Sequence, residues 1–326
     1  MKVYIAKRIL FAVFAIWIAF SATFFLLEAS PNKGAMKATM NCAATGEDPE
    51  QCRERYEERR GLDKPVTERY KNYMVNLFTF NWGWSESRSQ PVTQAILNAW
   101  PYSAQYTIPL IFLSTTIAFA LGLYSAYNPY TVTDYLGSFV AFFGISIPNF
   151  WFALMMIIVF GVHLDLLPTY YQSTIPENQG WLSWANVEQL LIPMFVLLTA
   201  YLAFQMRYVR AQDLEQKNKE FVKVAKSKGA SQFRLMLVHV FRNAAAPLAG
   251  SFVGMLIGIF WAGSLIIEQI FSIPGLGLLS YTAIVEQDTP LILGNTFVIV
   301  LLAVLGNLLE DLAIISLDPR IDYKGR

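Results

Sequence analysis

Few side chains in this sequence stand where they could do covalent or proton chemistry. Cys42 and Cys52 are the two cysteines, both in the one long polar stretch near the N-terminus. They either close a short disulfide loop, if that stretch faces an oxidising compartment, or remain two free thiols. His239 has no second His or Cys at ligand spacing, which argues against a metal site. Glu268, Glu310 and Asp311 fall at the ends of apolar runs, and placement at the membrane faces accounts for them without a proton relay. Ser146, Pro148, Asn149 and Ser264 offer hydroxyl, amide or kinked positions to a route through a bilayer; the same residue types also serve helix packing and ordinary kinks. There is no His-Glu-x-x-His pair, no Gly-x-Ser-x-Gly elbow and no Gly-rich phosphate loop ending in Lys-Ser/Thr. A hydrolase or an ATPase is not encoded here.

The most informative stretch is polar and short. It reads Lys219-Glu-Phe-Val-Lys-Val-Ala-Lys-Ser-Lys-Gly229 and continues to Val238-His-Val-Phe-Arg-Asn-Ala-Ala-Ala-Pro247. Phe221, Val224 and Ala225 recur at i, i+3 and i+4, the spacing of one helical face. Lys226 and Lys228 sit where the C-terminal end of a helix favours cations, and Gly229 suits a left-handed cap. The pattern predicts a short helix, a sharp turn and a second helix. Such an element serves either as a rigid handle or as a basic juxtamembrane loop that fixes orientation.

The elements around that loop are written in hydropathy. The chain is 55% hydrophobic and 15% charged, against about 25% charged in soluble domains. No Lys or Arg occurs between Arg88 and Arg207, so lipid is the solvent there. A net charge of +1 excludes a nucleic-acid partner, which needs a concentrated basic excess. Six runs suffice to cross a bilayer, which takes about 20 helical residues: Ile9–Leu27, Tyr106–Tyr127, Gly137–Val162, Val187–Met206, Ala244–Ile267 and Leu291–Leu309. The expected fold is an all-α membrane protein. It divides into a first transmembrane helix (1–27), an extracytoplasmic segment (28–105) and a five-helix core (106–326) that carries the loop 207–243. The first run exceeds a signal-peptide core of roughly 7–15 residues and lacks a clear cleavage site, so it reads as a retained span. Basic residues at 2, 7 and 8, in the loop 207–242 and at 320, 324 and 326 place both termini in the cytoplasm, in a plasma (inner) membrane. The segment 28–105 is too small to bury a large core alone and is expected to lean on the bundle or on a partner.

Glu220, Ala225 and Gly229, followed by His239, Arg242, Asn243 and Pro247, resemble the EAA loop of binding-protein-dependent ABC importer permeases, with the spacing of the dipeptide/oligopeptide branch. Gly61-Leu-Asp-Lys-Pro65, Ser89-Gln-Pro-Val92, Phe271-Ser-Ile-Pro-Gly-Leu-Gly277 and Asp318-Pro-Arg-Ile321 resemble further signatures of that branch, in its order. The cysteine-bearing stretch Asn41–Arg60 departs from it. The resemblance implies a coupling helix, about Lys219 to Ser227, seated in a cleft of an ATPase subunit. Glu220, Phe221, Val224, Ala225, Lys228 and Gly229 would form the contact, with Ala225 small for close docking. It implies no cofactor on this chain, with ATP and Mg held by the partner ATPase. The implied partners are a second homologous permease, two ATPase subunits or domains and an extracytoplasmic solute-binding protein. The substrate would be a short peptide, with oligosaccharide or nickel as alternatives. A secondary transporter or channel is the competing class; it calls for ionisable groups at mid-membrane, and none stands near the centre of a predicted span.

Overall fold

The computed structural model describes residues 2–30, 33–258 and 264–317. Helix α1 (Lys2–Glu28) is followed by α2 (Lys33–Thr45), α3 (Pro49–Arg60) and α4 (Val66–Phe78). A two-residue ribbon then pairs β1 (Trp84–Ser85) with β2 (Gln90–Pro91), antiparallel, Ser85 opposite Gln90. The rest is α5 (Val92–Tyr127), α6 (Val132–Ser146), α7 (Asn149–Met156), α8 (Thr174–Gln179), α9 (Trp184–Lys217), α10 (Glu220–Ser227), α11 (Gln232–Arg234), α12 (Arg242–Gly258), α13 (Leu265–Phe271), α14 (Leu276–Glu286) and α15 (Thr289–Leu317). π-helical turns extend α7 over Ile157–His163 and join α11 to α12 over Leu235–Phe241.

Helices α1, α5, α9 and α15 are each long and apolar enough to cross a membrane unbroken. The third predicted span is different: α6 and α7 meet at 104°. Pro148 stands at the elbow as the N-cap of α7; proline disfavours helical backbone in the residue before it and supplies no N–H of its own. The fifth predicted span, Ala244–Ile267, covers α12 and the start of α13, with 259–263 outside the described residues. Beyond it, α13 and α14 meet at about a right angle, 92°, in a short helical hairpin. Helix α5 starts at Val92 rather than near Tyr106, because Val92, Ala95, Ile96 and Ala99 bury against Leu276, Leu279, Ala283 and Leu291. The Asp318–Ile321 signature lies outside the described residues.

Helix α9 is the hub, packed along α5 and α6. Gly122 lets α5 approach α9, since a Cβ there would stand 2.8 Å from the Val209 side chain. Arg210 on α9 pairs with Asp134 in the first turn of α6 at 3.3 Å. On the far side α12 packs along α15, and α15 along α1. Phe20 stacks on Phe297 with centroids 5.1 Å apart, and Arg8 pairs with Asp311 at 3.0 Å. Most of the outer face of α1, including Leu10, Phe11 and Leu26, is exposed, as lipid contact requires.

The segment after α1 leans on the bundle. Leu77 of α4 is buried with Phe20 and Phe297, while Tyr70 and Tyr73 pack on Phe24 and Phe25. Arg69 pairs with Glu28. Asp48 caps α3 by accepting from the Glu50 amide at 3.0 Å, and Cys42 and Cys52 are joined as a disulfide that staples α2 to α3. Asp288, just ahead of α15, accepts from Ser85 Oγ at 2.6 Å and from the Ser87 amide at 3.0 Å, tying the ribbon to the bundle.

Candidate functional site

The loop between α9 and α12 is built at the opposite end from α4. Helix α10 begins after Lys219, whose backbone is extended, and ends in a Schellman turn. Gly229 adopts φ 80°, its amide donates to the Lys226 carbonyl at 3.0 Å, and the Ala230 amide reaches the Ala225 carbonyl at 3.2 Å. A Cβ on Gly229 would meet nothing within 4 Å, so glycine is required there by backbone angle and not by space.

Four apolar residues, Phe221, Val222, Val224 and Ala225, spread over an arc of about 160° at 100° per residue. That is wider than one contact needs. Val222 and Ala225 turn inward and are buried with Tyr127, Leu235 and Val240. Phe221 and Val224 turn outward, 37% and 52% exposed, beside exposed Glu220, Lys223, Lys226 and Lys228. This corrects the grouping of Ala225 with Phe221 and Val224: Ala225 is small because its own chain packs against it, and the outward face belongs to the other two.

The root of the loop is fastened to the bundle. Lys217 Nζ donates to the Ala126 carbonyl at 2.8 Å and the Tyr127 carbonyl at 3.3 Å, and lies 4.9 Å over the Tyr127 ring. It thereby satisfies carbonyls left open at the end of α5. Gln232 Nε2 donates to Asn128 Oδ1 at 3.3 Å. Asn243 Nδ2 donates to the His239 carbonyl at 2.6 Å across the junction of the π-helical turn with α12, while Arg242 is exposed. Pro247 falls within α12; its side chain lies outside the described residues.

A second constellation, which sequence reasoning placed only at a membrane face, sits at the other end. Glu268 is fully buried. Its Oε1 accepts from Ser103 Oγ at 2.6 Å and Tyr106 OH at 2.8 Å, and its Oε2 from the Leu278 amide at 2.9 Å. Ser103 also accepts from the Leu276 amide at 2.8 Å, and Tyr106 from the Ser264 amide at 3.1 Å. Two residues one turn apart on α5 therefore hold both arms of the α13–α14 hairpin. A Cβ on Gly277 would lie 2.6 Å from the Leu265 nitrogen, which explains one glycine of the Phe271–Gly277 motif. Nearby, the Tyr171 amide donates to the Phe271 carbonyl at 2.8 Å. Burial pushes the Tyr171 hydroxyl up to about 12, so it stays protonated and donates to Asn186 Oδ1 at 3.1 Å.

The remaining expectations separate. Ser146, Pro148 and Asn149 gather at the α6–α7 elbow, the first two exposed and Asn149 half-buried. Ser264 stands apart from them, its Oγ accepting from the Ile267 amide at 3.4 Å as the cap of α13. Cys42, Glu47 and Cys52 lie close together, but the two sulfurs are joined to each other rather than free for a metal. Asp213 on α9 is fully buried, and neither of its carboxylate oxygens has a partner among the described residues; set among Arg210, Gln212, Glu215 and Lys217, it reads in the sequence as part of a solvated helix end.

Comparison with known proteins places this architecture. The family model described as binding-protein-dependent transport system inner membrane component matches residues 118–323. The model for the N-terminal part of such membrane components matches residues 1–107, a range that includes the cysteine-bearing stretch. The oligopeptide transport system permease protein AppB of Bacillus subtilis is 33% identical over 324 residues, 99% of this chain and 100% of the relative. The dipeptide transport system permease protein DppB of Alkalihalophilus pseudofirmus is 32% identical over 286 residues, 82% of this chain and 85% of the relative. The inner membrane ABC transporter permease protein YejB of Escherichia coli O157:H7 is 28% identical over 367 residues and the full length of both. With the first model covering more than half its length, the chain belongs to the inner membrane components of binding-protein-dependent transport systems, as a multi-pass permease subunit and not the ATPase.

Proposed function

We propose that the chain forms one half of the pathway by which an ATP-driven importer moves short peptides, and that α10 is the handle through which a partner ATPase drives it. The observation that carries this reading is the outward face of Phe221 and Val224 on a stub that is capped at Gly229 and fastened through Lys217 to α5. An apolar pair ringed by charges on a rigid projection fits a cleft in another protein. ATP and Mg would be held by two such ATPase subunits or domains. A second, homologous permease would supply the other half of the pathway, and an extracytoplasmic solute-binding protein would deliver the substrate. Relatives named for oligopeptide and dipeptide transport support the peptide assignment.

Both termini are assigned to the cytoplasm. The basic residues around α10 and the Arg8–Asp311 pair support this, as does a disulfide at the end remote from α10. The elbow residues Ser146, Pro148 and Asn149 are assigned to the border of the route, and Ser264 to the hairpin beside it. The test is co-purification with the ATPases, followed by crosslinking from a cysteine at Val224. Capture of a nucleotide-binding subunit from this position, with none from Val222, is the expected result. Peptide binding to the partner solute-binding protein then checks the substrate.

A further inference from the structure

A cavity of about 260 Å³ lies between α5, α9, α12 and α15, toward their α10 end. Its polar lining is Thr115, Gln205, Tyr208, Ser251 and Glu310, with Phe252 among the aromatic residues of its wall. Sequence reasoning put Glu310 at the membrane face. Helix α15 runs on to Leu317, about two turns further, and a Cβ on Gly254 of α12 would stand 3.0 Å from Glu310 Oε2. The absence of a side chain at Gly254 is what gives this carboxylate room inside the bundle.

Two of the buried polar atoms that line the cavity have no partner. Thr115 Oγ1 and Gln205 Oε1 are buried and have no partner among the described residues, and both residues are more than nine-tenths buried. The amide of Gln205 has its orientation fixed by its neighbour. The Ser114 hydroxyl donates to the Ile111 carbonyl at 3.1 Å, so toward Gln205 it can only accept, and Gln205 Nε2 fills that role at 3.1 Å. The carbonyl oxygen of Gln205 is what remains. Among the described residues no Lys or Arg pairs with Glu310. Unpartnered buried polar atoms destabilise a fold, and an ionisable group within a membrane bundle is retained where it meets a partner or a substrate.

We propose that Glu310, Gln205 and Thr115 form a subsite for a primary ammonium group, the N-terminal amine of the peptide in transit. An ammonium carries three donors and no acceptor, which suits the Glu310 carboxylate, the Gln205 carbonyl oxygen and the accepting lone pairs of the Thr115 hydroxyl, and the aromatic wall favours a cation. The cavity is smaller than the roughly 300–1,000 Å³ that encloses a whole drug-sized ligand; it takes one end of a chain and leaves the remainder in the pathway. The same polar lining marks this face of the four helices as turned toward the route, since lipid would leave those acceptors bare. The inference rests on the peptide reading above.

The test uses the assembled transporter carrying Ser251→Cys, whose introduced thiol is the accessible one because Cys42 and Cys52 are bonded to each other. Its modification rate is measured with 2-aminoethyl methanethiosulfonate, a cation, and with neutral methyl methanethiosulfonate. The cationic reagent is expected to be favoured, and Glu310→Gln to lower the ratio of rates about tenfold. Thr115→Val removes an acceptor that has no partner and so takes no hydrogen bond from the fold; it is expected to lower the ratio about threefold. Asp311→Asn, which touches the Arg8 pair alone, should leave the ratio unchanged. Trialanine should protect the thiol, and N-acetyl-trialanine should not. A ratio indifferent to both Glu310→Gln and Thr115→Val overturns the subsite. A ratio that responds to them, with neither peptide protecting, overturns the peptide as occupant and identifies the transport assignment as the failed step.

Discussion

Ser103 on α5 and Glu268 on α13 are joined by a 2.6 Å hydrogen bond across 165 residues of chain. The bond makes α5 the common support of both ends of the molecule. Its first half holds the α13–α14 hairpin, and its last carbonyls receive Lys217 at the root of α10. A displacement of α10 relative to the bundle therefore acts on the same helix that carries the hairpin. Two-state motion needs such a connection between distant sites.

Replacing Glu268 with Gln should loosen that hairpin. The amide brings donors toward Ser103, Tyr106 or the Leu278 amide, each of which already donates. A loss of roughly 1–3 kcal/mol is expected, read as a lower midpoint of thermal unfolding in detergent. Ser103→Ala should cost a similar amount, because Tyr106 and Leu278 still satisfy the carboxylate but the buried Leu276 amide loses its acceptor. An unchanged midpoint for Glu268→Gln would show that the carboxylate does not hold the hairpin.

At Gly229 the requirement is angular. A residue with a Cβ in left-handed backbone costs roughly 1–2 kcal/mol, with Asn tolerated better than most. Transport should therefore decline in the order Gly, Asn, Ala, Val, while the amount of protein inserted in the membrane stays level. A series that follows side-chain volume without sparing Asn would point to a steric clash that the structure does not contain.

The two faces of α10 should separate on mutation. Ala225→Leu overfills the contact with Tyr127, Leu235 and Val240 and should destabilise by about 1–3 kcal/mol. Val224→Asp, on the exposed face, should leave stability within about 0.5 kcal/mol yet abolish co-purification of the ATPase. Retention of the ATPase by Val224→Asp would remove the outward face from the coupling contact.

The disulfide gives a fourth expectation. Closing a loop of this length is worth about 2–3 kcal/mol in the chain-entropy account. Cys42→Ser with Cys52→Ser, or reduction of the native pair, should open α2 and α3 to protease. Helix α4 should stay protected, because Leu77 is held by Phe20 and Phe297 rather than by the staple. Equal proteolysis of the α2–α3 region with and without reductant would contradict this.

Hydropathy made the long spans legible because lipid acts on every residue of a helix alike. The turn at Gly229 was legible for a similar reason, its constraint being local to one residue. What hydropathy cannot carry is a partner from elsewhere in the chain. The start of α5 at Val92 depends on α14 and α15, and the burial of Glu268 depends on Ser103 and Tyr106. The inward turn of Ala225 depends on Tyr127 and Leu235. The proline in the third run marked where α6 stops, but the 104° between the two pieces is set by packing against α9. An apolar run ending in Glu310-Asp311 looks finished, although Leu312 to Leu317 continue the helix.

The elbow at Pro148 also governs what may surround it. A helix that stops leaves carbonyls open and a helix that starts leaves amides open, and hydrocarbon tails cannot answer either. Acyl chains are thus turned away from the corner between Ser146 and Asn149, and the annulus around the protein must be interrupted there. Headgroups, water or another polypeptide can answer those groups, so the corner asks for a neighbour wetter than oil.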